Sequence, residues 1–395
     1  MARAAAQRLN GFGTSVFTEM SRLAVEHGAI NLGQGFPDFP GPDVVKEAAV
    51  AAIRADLNQY APSHGTPRLR QAIAAGFEHT YGRSIDADAE VTVTTGATEA
   101  MQVAMLALLD PGDEVILFEP FYDAYPAQVI FAGGVPRPVR LSPPDWSFDL
   151  EALRQAIGPR TRAIIINTPH NPTGKMFSRA ELESIAQVAI EHDLFVITDE
   201  VYDRITYDGA VHTPIALLPG MWERTLTLNS TGKTFSMTGW KIGFVIGPAD
   251  LSAALRGIHQ FNVFATATPF QEAMAVAMEQ ADSQGYYDAL RANYTALRNQ
   301  LRAALEAADL PVLPVSGSYY LMADVSGLGF DDDVAFCRYL TSEIGVAAIP
   351  PSAFYADPST APLLARFCFA KRPETIAAAS ERLAALPVQR PKRNT

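Results

Sequence analysis

The sequence predicts an α/β protein in which a mostly parallel central sheet, with helices on both faces, is joined by a smaller α+β domain. Three observations carry this. From about residue 45 to 285, helical and strand signals alternate, as they do in parallel sheets built from crossover units. The strand signals are apolar throughout rather than alternating, which suits strands covered on both faces. After Gly285 the pattern changes to one long amphipathic helix, followed by short strands with helices between them. The expected division is a large domain at 45–285 and a discontinuous small domain made of 1–44 and 286–395.

In chain order, EVTVTTG (90–96) is β-branched and stops at Gly96, where ATEAMQVAMLALL opens a helix. DEVILFEP (113–120) ends at Pro120. RAIIINTPHNP (162–172) is an apolar run cut by prolines. A helix follows it, opening at Ser178 with Glu181 three residues on, the spacing of a capping box. DLFVITDE (193–200), RTLTLNS (224–230) and KIGFVIG (241–247) complete the set. Leu290, Tyr294, Leu297, Leu301 and Leu305 recur at three- and four-residue steps and predict a long helix with one apolar stripe. GSYYLMADV (317–325) and ARFCFA (365–370) read as the small domain's strands.

Composition narrows the function classes. The chain has 395 residues, 48% of them apolar, and a formal charge of −12. That acidic balance argues against nucleic acid, because no basic block offsets the repulsion of phosphate. The basic residues near the end (Lys371, Arg372, Arg382, Arg390, Lys392 and Arg393) read as a solvated terminus. Two cysteines, Cys337 and Cys368, cannot build a disulfide framework or a four-ligand zinc site, and the histidines lack metal-ligand spacing, so no metal is expected. No apolar run approaches the roughly 18 residues of a membrane span, and the N-terminus lacks the apolar core of a secretory signal. The expectation is a cytoplasmic enzyme.

In an open parallel sheet, ligands bind beyond the carboxyl ends of the strands. The residues there are Gly96–Ala97–Thr98, Pro120–Phe121–Tyr122, Asn171–Pro172, Asp199 with Tyr202, and Ser230 with Lys233. They supply a phosphate cradle, an aromatic face, an amide, an acid, a phenol and an amine. Pyridoxal phosphate needs these groups. Its aldehyde requires a partly deprotonated lysine, and its ring nitrogen a buried carboxylate. Its ring oxygen needs donors, and its phosphate a helix N-terminus. A P-loop built on Gly232–Lys233–Thr234 fails, since the glycine required five residues earlier is Thr227. His170 is a loop imidazole next to Asn171 and reads as incidental.

The segment STGKTFSMTGWKIGF (230–244) resembles the coenzyme-lysine motif of fold-type-I, class I/II aminotransferases. NLGQGFPDFPGP (31–42), NQYAPSHGTPRLRQAI (58–73), NTPHNPTGK (167–175), ITDEVYD (197–203) and ARFCFA (365–370) match that family in the same order. The resemblance is closest to the kynurenine/glutamine and methionine branch, and N-succinyldiaminopimelate aminotransferases are also similar. It implies pyridoxal 5′-phosphate as cofactor and amino acids and 2-oxo acids as substrates. It also implies a homodimer with shared active sites.

Carried over, Lys233 would hold the coenzyme and move the substrate proton. Asp199 would face the ring nitrogen, Asn171 and Tyr202 the ring oxygen, and Tyr122 the ring plane. Ala97, Thr98, Ser230 and Lys241 would hold the phosphate, joined by Tyr60 from the neighbouring subunit. Arg366 would clamp the substrate carboxylate near Gly35. Phe17 and Phe264 would line a less polar side-chain pocket than the kynurenine branch carries. Arg70 and Arg256 are candidates for a second, distal carboxylate. The family pattern also implies cis bonds at Glu119–Pro120 and Asn171–Pro172. A related β-elimination from cysteine conjugates would use the same residues.

Overall fold

The computed structural model describes residues 6–9, 12–13 and 15–386. Its strands are β1 (Ile30–Asn31), β2 (Val91–Thr95), β3 (Glu114–Glu119), β4 (Val135–Ser142), β5 (Ser147–Phe148), β6 (Thr161–Asn167), β7 (Phe195–Asp199), β8 (Thr225–Ser230), β9 (Ile242–Ile246), β10 (Tyr320–Asp324), β11 (Val346–Ala347) and β12 (Leu364–Cys368). Eight of them form one sheet in the order β2-β9-β8-β7-β6-β3-β4-β5. The run from β8 to β4 is parallel throughout. Only β9 and the short β5 run against it.

The apolar runs are explained by period-two alternation into two cores. Ile116, Phe118, Ile164, Ile166 and Val196 pack on one face with Leu182, Ile185 and Val188 of helix Arg179–Glu191. Val115, Leu117, Ala163, Ile165 and Ile197 point to the other face and meet helix Gly96–Leu108. Helix Arg179–Glu191 opens as expected. Ser178 accepts from the Glu181 amide while Glu181 reaches back to the Ser178 amide, a cap that contributes about 1 kcal/mol.

The long helix spans Tyr286–Ala307, and Leu290, Tyr294, Leu297, Leu301 and Leu305 are all buried in a third core. This core also takes β10, β12 and the N-terminal Leu32. The N-terminal segment is tied in by strand pairing: β1 runs parallel to β11, and the Cys368 amide donates to the Leu32 carbonyl.

Two features depart from expectation. β4 is not among the expected strands, because its Pro136 and Pro138 lack the N–H groups a ladder needs. The strand tolerates them because β5 pairs only with Leu141 and Ser142, leaving the prolines on an open edge. The basic C-terminal region is also not simply a solvated end. Lys371 is only 3% exposed and donates to the carbonyls of Gln34 (3.2 Å) and Phe36 (2.8 Å). Arg382 likewise donates to the carbonyls of Gly28 and Gly345. Arg390, Lys392 and Arg393 lie outside the described residues. Both bonds flagged by the family pattern, Glu119–Pro120 and Asn171–Pro172, are cis, as are Pro143–Pro144 and Thr168–Pro169.

Among the described residues, no helix is long and apolar enough to cross a membrane, and no cluster of metal-ligating side chains occurs.

Candidate active site

The sheet gathers the candidate residues because its parallel strands all stop at one edge. Asn167 ends β6 and Asp199 ends β7, paired in register, and Ser230 ends β8 beside Gly243 of β9. Since β9 is antiparallel, it starts where its neighbours stop, which brings Lys241 to the same edge. A cavity of about 310 Å³ opens there. Ala97, Thr98, Tyr122, Asn171, Asp199, Tyr202, Ser230, Lys233, Lys241, Gly35 and Phe17 all line it.

Lys233 lies on the short helix Thr231–Thr234, which Ser230 caps by accepting from the Gly232 amide. Its Nζ is 3.5 Å from the Gly35 carbonyl and faces the rings of Tyr202 and Tyr319 at 5.9 and 5.8 Å. Burial lowers its pKa to about 8, with Lys241 and Arg366 acting in the same direction. Opposite it, burial raises the pKa of Asp199, while two hydrogen bonds hold the carboxylate in place. Tyr125 Oη donates to Oδ2 at 2.7 Å and the Val201 amide to Oδ1 at 3.3 Å.

One end of the cavity is a helix N-terminus. Gly96 begins helix Gly96–Leu108 with φ +76°, and Lys241 Nζ donates to Thr98 Oγ1 at 3.3 Å. Gly243 makes this approach possible: a Cβ there would lie 2.5 Å from the Gly96 carbonyl carbon and 2.7 Å from the Ala97 nitrogen. Backbone cannot yield at that distance. Gly243→Ala is therefore expected to displace the cradle and weaken binding of inorganic phosphate and phosphorylated ligands at least tenfold, measured by equilibrium titration.

Arg366, on β12, is fully buried and, among the described residues, forms no ion pair, although Asp123 lies near enough to feel its charge. Nη1 donates to Asn171 Oδ1 and Nη2 to the Gly33 carbonyl, both at 2.9 Å, while Nε has no partner. Its plane lies near the rings of Tyr320 (4.3 Å), Phe17 and Phe354 (both 5.1 Å). A buried cation with an unsatisfied donor is costly unless an anion arrives to pair with it.

Two expected residues stand apart. Tyr60 is 84% exposed and packs edge-on against Phe264 at 5.1 Å, and neither lines the cavity within this chain. Arg70 and Arg256 are not free to meet a distal carboxylate. Arg70 bonds Asp88 and the Gly65 and Ala87 carbonyls, and Arg256 bonds Thr92 and two more carbonyls. His170 is buried on Thr173, away from the cavity.

The fold and site have counterparts among known proteins. Residues 27–383 match the family described as aminotransferase class I and II. The chain belongs to that family. The methionine aminotransferase of Escherichia coli is 44% identical over 376 residues, covering 95% of this chain and 97% of the relative. The kynurenine–oxoglutarate transaminase of Dictyostelium discoideum is 41% identical over 386 residues, covering 89% and 88%. The solved N-succinyldiaminopimelate aminotransferase of Mycobacterium tuberculosis superposes with a TM-score of 0.93 at 46% identity, covering 97% of this chain and all of that one.

This aminotransferase acts on amino acids and uses pyridoxal 5′-phosphate. Its residues fit the coenzyme. The cradle exists only because Gly243 has no side chain, and the amine, acid and amide face one cavity.

Several contributing residues escape sequence reasoning. Tyr125 supports Asp199 from helix Ala124–Phe131, not from a strand end. Asn167 bonds both the Asn171 amide and the Asp199 carbonyl, linking two loops. Gln128 holds the Thr98 carbonyl. A strand-end search cannot find the helical pair, although Asn167 opens the NTPHNPTGK motif.

Proposed function

We propose that this aminotransferase moves the amino group of a neutral, largely apolar amino acid, of the methionine type, to a 2-oxo acid by a ping-pong route. The observation that carries this reading is Arg366, a fully buried guanidinium with an unpaired donor and, among the described residues, no ion-paired carboxylate, beside a cavity that also holds Lys233. An α-carboxylate satisfies that donor and orients the substrate's Cα toward the lysine.

When bound, the coenzyme supplies an aldehyde for amino exchange and an electron sink for the Cα electrons. Lys233 would anchor it and then, as a free amine, take and return the Cα proton. A pKa of about 8 leaves an appreciable neutral fraction at neutral pH. Asp199 would hold the proton of the ring nitrogen. Asn171 and Tyr202 would face the ring oxygen and Tyr122 the ring plane. The Ala97–Thr98 amides, Ser230 and Lys241 would hold the phosphate. Phe17, Phe36 and Tyr320 would give the substrate side chain apolar surface within the cavity.

Attachment to the apoprotein needs the neutral amine, so its rate should rise about tenfold per pH unit below 8 and level off above it. Stopped-flow mixing across pH 6–9.5 measures this.

The side-chain preference rests on the lining. Phe17, Phe36, Met101 and Tyr320 form its apolar part beside the uncharged Gln34 and Gln128, and Arg70 and Arg256 are both committed elsewhere. Exposed Tyr60 and Phe264 suit a homodimer in which each chain completes its partner's site, with Tyr60 reaching the phosphate. The large unit would be 45–285 and the small one 1–44 with 286–395. The free, buried Cys337 and Cys368 suit a cytoplasmic, reducing setting.

A half-reaction screen of amino acids, read by the coenzyme's spectral change, tests the preference. Methionine, glutamine and aromatic donors should convert the chromophore. Conversion by N-succinyldiaminopimelate alone would overturn the preference, and pyruvate with ammonia as products would indicate elimination instead.

A further inference from the structure

The cavity wall next to Arg366 carries a phenol that the proposed chemistry leaves unused. Tyr320, on β10, is buried, lines the cavity, and has its Oη 3.2 Å from Tyr202 Oη. The Arg366 guanidinium carbon is 4.3 Å from its ring centroid. The N-terminal segment fits around the Tyr320 hydroxyl itself. A Cβ on Gly35 would lie 2.1 Å from the Tyr320 oxygen, so glycine is needed there because a phenol, rather than a phenyl ring, occupies the position.

Each phenol has one proton to give, although its oxygen can also accept. If Tyr202 donated to Tyr320, that proton would be spent on Tyr320 and not on a ligand. If Tyr320 donates to Tyr202, the Tyr202 proton stays free for a ligand. We propose that Tyr320 is a positioning residue whose hydroxyl donates to the Tyr202 oxygen, holding the Tyr202 proton toward the ring oxygen of the coenzyme. This rests on the aminotransferase reading and adds a residue to it.

The surrounding groups favour this direction; Tyr319 hydrogen-bonds both phenols and does not distinguish them. Burial raises the pKa of both phenols. Arg366 opposes that rise at Tyr320, whereas Asp199 adds to it at Tyr202. The more acidic phenol is the better donor, and a donor feeding Tyr202 strengthens the bond Tyr202 makes in turn.

The test is the pH titration of the visible absorbance of the reconstituted full chain. Donors facing the ring oxygen favour the deprotonated chromophore, so their loss raises the midpoint. Tyr320→Phe, close to isosteric, should raise it by about half a unit. Tyr202→Phe should raise it further, and Tyr320→Phe added to Tyr202→Phe should produce no additional shift. An unchanged midpoint in Tyr320→Phe, or shifts that add in full, would overturn the assignment while leaving the aminotransferase reading intact. A wild-type protein that gains no titrating visible absorbance from added pyridoxal phosphate would overturn that reading, and this inference with it.

Discussion

Lys233→Ala is expected to lower the single-turnover rate with a good amino donor by roughly 10⁴-fold or more, because in the proposed assignment it removes both the covalent anchor and the group that moves the Cα proton. Coenzyme binding should survive in weakened form. The cradle of Ala97, Thr98, Ser230 and Lys241 does not depend on the Lys233 amine, and Lys241 has its own bond to Thr98. Rapid mixing gives the rate, and dialysis equilibrium gives the affinity. The Lys241 amine is 3.3 Å from Thr98 Oγ1 and is committed to that end of the cavity, so it is not expected to take over. A variant that kept even a hundredth of wild-type turnover would place the chemistry elsewhere.

Arg366→Met is expected to reduce kcat/KM for the amino donor by about 10² to 10³-fold, the loss that follows when one partner of a buried, hydrogen-bonded charge pair is removed. The effect should extend to unreactive carboxylates, whose dissociation constants should rise by a similar factor, because the site is lost for the substrate anion and not only for the transition state. Folding is expected to respond differently. Breaking a buried ion pair ordinarily strands a charge and costs several kcal/mol. Here, among the described residues, no carboxylate is ion-paired to the guanidinium, which meets the Asn171 amide oxygen, the Gly33 carbonyl and three aromatic rings, with Asp123 coupled to it only through space. The apoprotein's melting temperature should therefore hold within a few degrees. The stabilisation that wild type gains from added 2-oxo acid should disappear. Calorimetry with and without the acid separates the two effects.

Whether a residue is legible in the sequence depends on whether local chemistry or remote packing places it. Strands such as β3, β6 and β7 are apolar on both faces, and that pattern survives in the linear chain. Lys233, Asp199 and Asn171 follow from asking where those strands stop. β4 is hidden because Pro136 and Pro138 count against a strand, and only its open edge allows them. Lys371 misleads because a lysine near a chain end usually meets water, whereas this one is captured by two carbonyls of a segment more than 300 positions earlier. Tyr125 and Tyr320 are equally out of reach, since each acts through a residue distant in sequence, Asp199 and Tyr202. Arg366 is the opposite case. A guanidinium inside an apolar strand already signals an anion in the linear chain, and its unpartnered Nε agrees with that signal.

All of the proposed chemistry turns on Lys233 being the coenzyme lysine of a cavity built to receive an amino acid. Borohydride reduction of the protein with pyridoxal 5′-phosphate, followed by proteolysis and peptide mass mapping, tests this most directly. One stable pyridoxyl-phosphate adduct per chain is expected, on the peptide containing Lys233, and it should be lost when a reactive amino donor is added before the reductant. An adduct on Lys241 or another lysine, or no adduct from a protein that binds the coenzyme, would contradict it.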